Sequence, residues 1–234
     1  MVTATRPRRP DPADQPPYLY EPYKSTARRA PGKPLIFLPH TLSERTGPVF
    51  GPNDIGETDH DLTRQHSGDP VGQRMILTGR VMDEDGRPVR NTLIEIWQTN
   101  AAGRYRHRLD DFRAPLDPNF TGTGRTLTDE NGNYRFVSVK PGAYPWPNHY
   151  NAWRPPHVHF SVFGPAFSTR LITQMYFEGD PMLAYDPIYQ SVPSEKAKQR
   201  LLAKFDIGIT EPAWALGYRF DIVLRGPEQT PRED

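Results

Sequence analysis

The chain of 234 residues contains no cysteine, no long apolar run and no excess of charge of either sign. Without cysteine there is no disulfide, no thiolate nucleophile and no iron–sulfur cluster, so any bound metal must be held by nitrogen and oxygen. The 29 Lys and Arg residues nearly balance the 28 Asp and Glu residues. This balance predicts neither nucleic acid nor an anionic membrane surface as a partner.

The chain also lacks an apolar stretch long enough to span a bilayer. Its first residues include Arg6, Arg8 and Arg9 but no apolar core of the kind found in signal peptides. We therefore expect no membrane association and a cytoplasmic location. No internal repeat is present, and the length fits a single catalytic domain.

Residues 1–34 are rich in proline and arginine and poor in periodic apolar residues, so they are not expected to form a core element by themselves. Tyr18, Tyr20 and Tyr23 are unusual for a disordered tail. We predict an extended arm that lies across its own domain or a neighbouring subunit and makes subunit contacts, with a frayed terminus as the alternative. Residues 35–234 are expected to form the catalytic domain.

From Arg74 onward, short β-type runs alternate with turn residues. A turn-forming cluster at residues 83–86 predicts a hairpin between the first two runs. Residues 194–205 are predicted to form a helix, with Ser194 as the N-cap. The pattern is typical of a mainly β fold, an antiparallel β-sandwich with long connecting loops, few short helices and an extended N-terminal arm. The predicted strands are residues 75–81, 92–98, 126–128, 134–139, 157–163, 171–177 and 218–224.

Two histidines separated by one residue lie in the predicted strand 157–163. Because side chains alternate along a strand, His157 and His159 face the same side and can bind one metal ion, while Val158 and Phe160 pack on the other side. This spacing alone is a weak indication, since paired polar residues on a half-exposed strand face are an equally simple interpretation.

Two tyrosines lie in the long segments without clear periodicity, Tyr105 in residues 100–124 and Tyr144 in residues 141–156. A phenol loses its proton at about pH 10 in water, so it becomes a ligand at neutral pH only beside a strongly Lewis-acidic cation such as ferric iron. The alternative is a buried ring whose hydroxyl is hydrogen-bonded. Composition alone leaves both interpretations open.

Ordered sequence motifs surround these four residues and extend over most of the chain. They include residues 47–48 (GP), 115–120 (PLDPNF), 140–142 (KPG), 153–155 (WRP), 176–181 (YFEGDP) and 218–226 (YRFDIVLRG). The series closely resembles the β chains of the protocatechuate 3,4-dioxygenases, within the intradiol ring-cleavage dioxygenase family. So long an ordered series of motifs is highly specific.

The resemblance implies a non-haem Fe(III) ion held by Tyr105, Tyr144, His157 and His159, with a solvent hydroxide completing the shell. Two phenolates and one hydroxide would neutralise the trivalent charge. It implies cleavage of protocatechuate by O2 to 3-carboxy-cis,cis-muconate, in aromatic compound catabolism. Tyr144 matches the ligand that the substrate displaces, which gives it a catalytic role as well. Arg154 matches a cation that stabilises negative charge developing on the substrate.

Other residues match positions that line or approach the family's substrate pocket. The two tryptophans among them are equally compatible with core packing, and Arg154 with a surface ion pair. The substrate-binding residues that the resemblance implies are Tyr23, Trp97, Trp146, Gln174 and Ile188. The remaining histidines have no comparable spacing and are interpreted as ordinary polar residues: His40, His60, His66, His107 and His149.

The resemblance also implies a homologous α chain as partner in an αβ hetero-oligomer. The α paralogue itself is an alternative, which the complete set of four ligands argues against. A second alternative is a catechol or hydroxyquinol dioxygenase, which has a helical N-terminal region. The prolines of residues 1–34 argue against such a region, since each interior proline destabilises a helix by about 3 kcal/mol. A non-catalytic sandwich that binds an aromatic ligand or a protein is the third.

Overall fold

The structure, a computed structural model, describes residues 9–36, 55–164 and 170–233. His40 and the motif at residues 47–48 lie outside these ranges. The strands are β1 (Arg74–Met82), β2 (Leu93–Trp97), β3 (Thr123–Leu127), β4 (Asn133–Val139), β5 (Tyr144–Pro145), β6 (Trp153–Arg154), β7 (His157–Val162), β8 (Leu171–Phe177), β9 (Leu202–Phe205), β10 (Leu216–Arg219) and β11 (Ile222–Val223).

Helices are few and short among the described residues. They are α1 (Thr26–Arg29), α2 (Pro187–Ser191) and α3 (Glu195–Gln199), together with 3-10 turns at Pro12–Asp14, Pro181–Tyr185 and Ile207–Ile209. Within the ranges that the structure covers, no helix has the length and apolar character needed to cross a membrane.

Nine strands form a hydrogen-bonded series in the order β11-β1-β10-β9-β8-β7-β2-β3, with β4 paired to β1 beside this path. The series folds into two layers, because β9 pairs with β10 in one layer and with β8 in the other. Most pairs are antiparallel, while β1 pairs in parallel with β10 and β11, and β8 in parallel with β9. The predicted mainly β sandwich is confirmed.

The core lies between the two layers. Leu77 and Phe136 from one layer and Ile96, Phe160 and Met175 from the other belong to a single buried cluster. β7 lies between β2 and β8, and all six of its residues are buried. One face of β7 therefore packs into the core, and the other is left to face the loops that carry polar groups.

The hairpin predicted at residues 83–86 is wrong as a link between β1 and β2. The turn exists, with Gly86 at a φ of +74°, but the returning chain pairs with β1 only as far as Val89, whose N–H donates to Val81 O. The chain then crosses to the other layer near Asn91, which has a φ of +51°. β1 pairs with β4, and β2 pairs with β3 and β7, because turn residues specify a local reversal and not the next partner.

The predicted helix 194–205 is wrong beyond its first turns. Ser194 caps α3 as predicted, since its Oγ accepts the N–H of Ala197 at 3.2 Å. The helix ends at Gln199, and the apolar residues after it become β9, where Phe205 is 52% exposed. The ladder that β9 forms with β8 and β10 outweighs the local helix preference.

The described part of the arm, residues 9–34, lies against its own domain. Asp14 is 2.5 Å from Arg200 Nη2, and both side chains are mostly buried. Further along the arm, the N–H groups of Lys24 and Ser25 donate to the backbone and side-chain oxygens of Asn148. The arm thus contacts both the helical region and the loop after Tyr144.

We expect Asp14→Asn to loosen the arm in a pH-dependent way. The hydrogen bond from Arg200 lowers the pKa of Asp14 below its usual value, so this contact stabilises the fold above the unfolded pKa and is lost as the pH falls through the folded pKa. Denaturant unfolding should show the variant about 1 kcal/mol less stable at pH 7, with the difference lost as the pH falls through the lowered pKa of Asp14. Glu130→Gln, in an exposed pair with Arg90, should change little.

Candidate metal centre

The four predicted ligands come together at one end of β7. His157 and His159 lie on the same strand face with ring centroids 4.9 Å apart. Tyr144, the first residue of β5, has its ring centroid 5.5 Å from that of His157. Tyr105 lies in the loop after β2, with its ring 5.4 Å from Tyr144 and its hydroxyl 3.2 Å from His159 Nε2. The structure therefore brings two phenols and two imidazoles into one cluster.

The two tyrosine-bearing loops are packed backbone against backbone. Gly103 has a φ of +81°, and a Cβ there would collide with the carbonyl oxygen of Ala143. The N–H of Gly142 donates to Asn100 O, and the Asn100 side chain accepts the N–H of Arg104. Only glycine permits so close an approach, and it holds Tyr105 beside Tyr144.

Both histidines are held in a defined tautomer. His157 Nδ1 lies 2.7 Å from the carbonyl oxygen of Pro155, and His159 Nδ1 lies 2.8 Å from a carboxylate oxygen of Glu233. A carbonyl or carboxylate oxygen can only accept, so Nδ1 carries the proton in each ring. The lone pair is therefore on Nε2 in both rings, and Nε2 of His159 faces the Tyr105 hydroxyl while Nε2 of His157 faces the guanidinium of Arg154.

Burial governs the ionisation of the cluster. It raises the pKa of Tyr105 well above its usual value and also raises that of Tyr144, and the proximity of Tyr144 raises the Tyr105 pKa further. Burial and the neighbouring Arg154 cation lower the pKa of His157 well below its usual value. The imidazole is thus neutral and able to bind a metal, whereas the phenols need a strong cation to ionise.

This donor set fits ferric iron. Two neutral imidazole nitrogens and two phenol oxygens suit a hard trivalent cation that favours phenolate. Among the described residues, no cluster of three or more His, Asp or Glu side chains could hold a metal ion. The candidate site therefore needs its two tyrosines as ligands.

Arg154 lies at the centre of a buried polar network beside the cluster. Its guanidinium makes two hydrogen bonds to Asp186, at 2.8 and 3.0 Å, and both residues are at most 2% exposed. It also donates to Gln174 Oε1 at 2.6 Å and Tyr176 Oη at 3.0 Å, while Nη1 lies 3.3 Å from His157 Nε2. Burial opposes the charge, but Asp186 together with Tyr176 and Tyr144 more than offsets it and raises the pKa of Arg154, which remains a cation.

The five predicted substrate-binding residues lie at different distances from the cluster. Trp97 stacks on His159, with centroids 4.7 Å apart and planes 6° apart. Trp146 lies under the Arg154 guanidinium, and Tyr23 of the arm meets the edge of Trp146 at 5.1 Å. Gln174 accepts a hydrogen bond from Arg154, and buried Ile188 lies in α2. Substrate binding by these residues stays a prediction.

Three polar residues of the site were missed by the sequence reasoning: Tyr176, Asp186 and Glu233. Tyr176 lies opposite His157 in the β7–β8 register, so a correct strand pairing would have found it. Asp186 has a local signal, since it precedes Pro187 and caps α2 by accepting the N–H of Tyr189. Glu233 has no such signal, because it lies 74 residues from the histidine that it contacts.

A β-sandwich that brings two histidines and two tyrosines together is the arrangement expected of the dioxygenase class that the sequence motifs predicted. Comparison with known proteins supports this class. Residues 45–226 match the family described as Dioxygenase, and residues 8–41 match the N-terminal region of the protocatechuate 3,4-dioxygenase beta subunit.

Individual relatives agree. The chain is 56% identical to the protocatechuate 3,4-dioxygenase beta chain of Burkholderia cepacia, over 93% of each protein. It is 31% identical to the alpha chain of that organism, over 84% of this chain and 98% of the alpha chain. The crystal structure of 3-chlorocatechol 1,2-dioxygenase from Rhodococcus opacus 1CP superposes with a TM-score of 0.53 at 25% identity, covering 75% of this chain and 68% of that one. The chain belongs to the intradiol dioxygenase family, as its motifs predicted.

Proposed function

We propose that this chain is the iron-binding β chain of a protocatechuate 3,4-dioxygenase. It binds one non-haem Fe(III) through Tyr105, Tyr144, His157 and His159. With O2 it cleaves protocatechuate between the two hydroxylated carbons to give 3-carboxy-cis,cis-muconate, and both oxygen atoms enter the product. A homologous α chain is its partner in an αβ hetero-oligomer.

The observation that supports this proposal most strongly is the orientation of the imidazoles. Both Nδ1 atoms donate to fixed oxygens, so each ring keeps its lone pair on Nε2. Nε2 of His159 faces the Tyr105 hydroxyl, and the His157 ring, whose Nε2 faces Arg154, lies 5.5 Å from the Tyr144 ring. A structural cluster of aromatic side chains does not require this tautomer at both rings, whereas a metal site does.

Ferric iron, when bound, withdraws electron density from a chelated catecholate and makes the ring susceptible to O2. The chain's own part is to move protons and stabilise charge. As a phenolate, Tyr144 Oη would accept a proton from a substrate hydroxyl, and the burial that raises the pKa of Tyr144 favours the resulting neutral phenol. Tyr105 stays a ligand and is held in its loop by the bond from its N–H to Asp110.

Arg154 supplies a fixed positive charge beside the reacting ring. Asp186, Gln174 and Tyr176 hold the guanidinium in one orientation, so it needs no reorganisation when negative charge develops on the substrate. Trp97 covers the face of His159 and keeps water from that side. The histidines are at most 8% exposed, whereas both tyrosines are only partly buried, so substrate approaches from the tyrosine side.

The substrate is assigned by comparing three diphenols. The chain is co-expressed with an α paralogue, and iron per β chain and O2 uptake are measured with protocatechuate, catechol and hydroxyquinol. We expect about one iron per β chain, a red colour from phenolate-to-iron charge transfer, and the highest kcat/KM with protocatechuate. A colourless, iron-free complex would contradict the iron site, and a preference for catechol or hydroxyquinol would assign the chain to the alternative enzymes of the family.

A further inference from the structure

Residues 230–233, here called the tail segment, run beside β8 and reach the candidate metal centre. The Thr173 hydroxyl donates to Pro231 O at 2.6 Å, and the N–H of Glu233 donates to Ile172 O at 2.7 Å. Thr230 is bonded to Val223 of β11 through its N–H at 2.9 Å and its hydroxyl at 3.0 Å. The tail segment is therefore attached to both layers of the sandwich.

The arm holds the tail segment from the other side. The N–H of Arg232 donates to Gln15 Oε1 at 3.0 Å, and its guanidinium donates to Pro16 O at 3.0 Å. The same guanidinium lies 4.7 Å from the centre of the Tyr18 ring. With contacts to the arm on one side and to β8 on the other, the backbone next to Glu233 has little freedom to move.

This attachment directs the Glu233 carboxylate at His159. Oε2 lies 2.8 Å from His159 Nδ1, and the two side chains are 20% and 10% exposed. At this distance Oε2 accepts the Nδ1–H of His159. Trp97, stacked on the ring, prevents His159 from tilting, and Glu233 opposes rotation in the ring plane.

We propose that Glu233 is a positioning residue for the metal centre, holding His159 as the Nδ1–H tautomer with Nε2 directed at the metal. The inference rests on the proposed function, because it requires His159 to be a ligand. A carboxylate on the second nitrogen also makes an imidazole a more basic ligand. Nδ1 of His157 is bonded to a backbone carbonyl, that of Pro155, which a substitution cannot remove. Nδ1 of His159 is bonded to the Glu233 side chain, which a substitution can remove.

The test measures iron retention and not only turnover. In the co-expressed αβ complex, Glu233→Ala should bind iron with an affinity about 10- to 100-fold lower than that of the parent. Competition with a ferric chelator measures this affinity. The charge-transfer band of the loaded complex should shift, while the melting temperature of the metal-free complex stays the same. Glu233→Gln keeps an acceptor oxygen and should lose less affinity than Glu233→Ala.

Glu228→Ala is the matched control, since Glu228 is a carboxylate five residues before Glu233 that is 56% exposed and pairs with Lys196 and Arg200. It should retain iron as the parent does. Parental iron affinity and an unshifted band in Glu233→Ala would overturn the proposal, as would a metal-free complex destabilised equally by the alanine and glutamine changes. If the parent itself takes up no iron, it is the proposed function that fails.

Discussion

His159→Ala is expected to lower iron affinity by about 100-fold or more and to remove the visible charge-transfer absorption. The change deletes one of four donors, and it also removes the contacts by which Glu233 and Trp97 hold that side of the site. Loss of a ligand should lower iron affinity more than the 10- to 100-fold expected on removing a residue that is hydrogen-bonded to a ligand. Iron content per chain and the visible spectrum of the αβ complex measure the effect.

Two further variants make this result specific. Tyr105→Phe keeps the ring and its packing against Tyr144 but removes the oxygen, so it should also lose most iron or most turnover. His107→Ala removes an exposed imidazole only two residues away, whose Nδ1 accepts the N–H of Leu109, and should be nearly silent. Full iron content and an unchanged spectrum in either His159→Ala or Tyr105→Phe would refute the ligand assignment.

Arg154→Met should reduce both stability and turnover. Asp186 is fully buried, and without the guanidinium its charge would lack a counter-ion, which costs about 3–5 kcal/mol of unfolding free energy. Loss of a preorganised charge beside the reacting ring should lower kcat by about 10²–10³-fold. Denaturant unfolding and steady-state O2 uptake measure the two effects.

The two effects can be separated by a second substitution. Asp186→Asn combined with Arg154→Met removes both charges while an acceptor oxygen still caps α2, so most of the stability should return and turnover should stay low with iron retained. Arg125→Met, which breaks a half-exposed pair with Asp59, should cost no more than about 1 kcal/mol. A stable, iron-replete double variant with full turnover would show that Arg154 is purely structural.

Much of the candidate site could be predicted from local pattern and motif. Two histidines at alternate positions of a strand must share a face, and the structure has them 4.9 Å apart. The tyrosines entered through the motif resemblance, since nothing in the spacing of Tyr105 and Tyr144 places them next to a strand that begins at residue 157. The substrate-binding roles remain predictions for all five residues, Tyr23, Trp97, Trp146, Gln174 and Ile188.

The two wrong secondary-structure predictions have the same cause. The apolar spacing of residues 200–205 fits a helix locally, but the ladder formed with β8 and β10 makes residues 202–205 a strand. The hairpin at residues 83–86 failed because the second strand finds better partners in the other layer. In both cases contacts between residues distant in sequence outweigh a local preference.

Composition and residue order were enough to establish that a metal here must bind nitrogen and oxygen, that the fold is a β-sandwich, and that His157 and His159 face one way. Only the folded chain determines which polar side chains contact the site residues. Asp186 and Gln174 are hydrogen-bonded to Arg154, and Glu233 is hydrogen-bonded to His159. Periodicity reports which side of a strand is apolar, whereas these contacts join residues 20 to 74 positions apart and depend on how the layers and the tail segment pack.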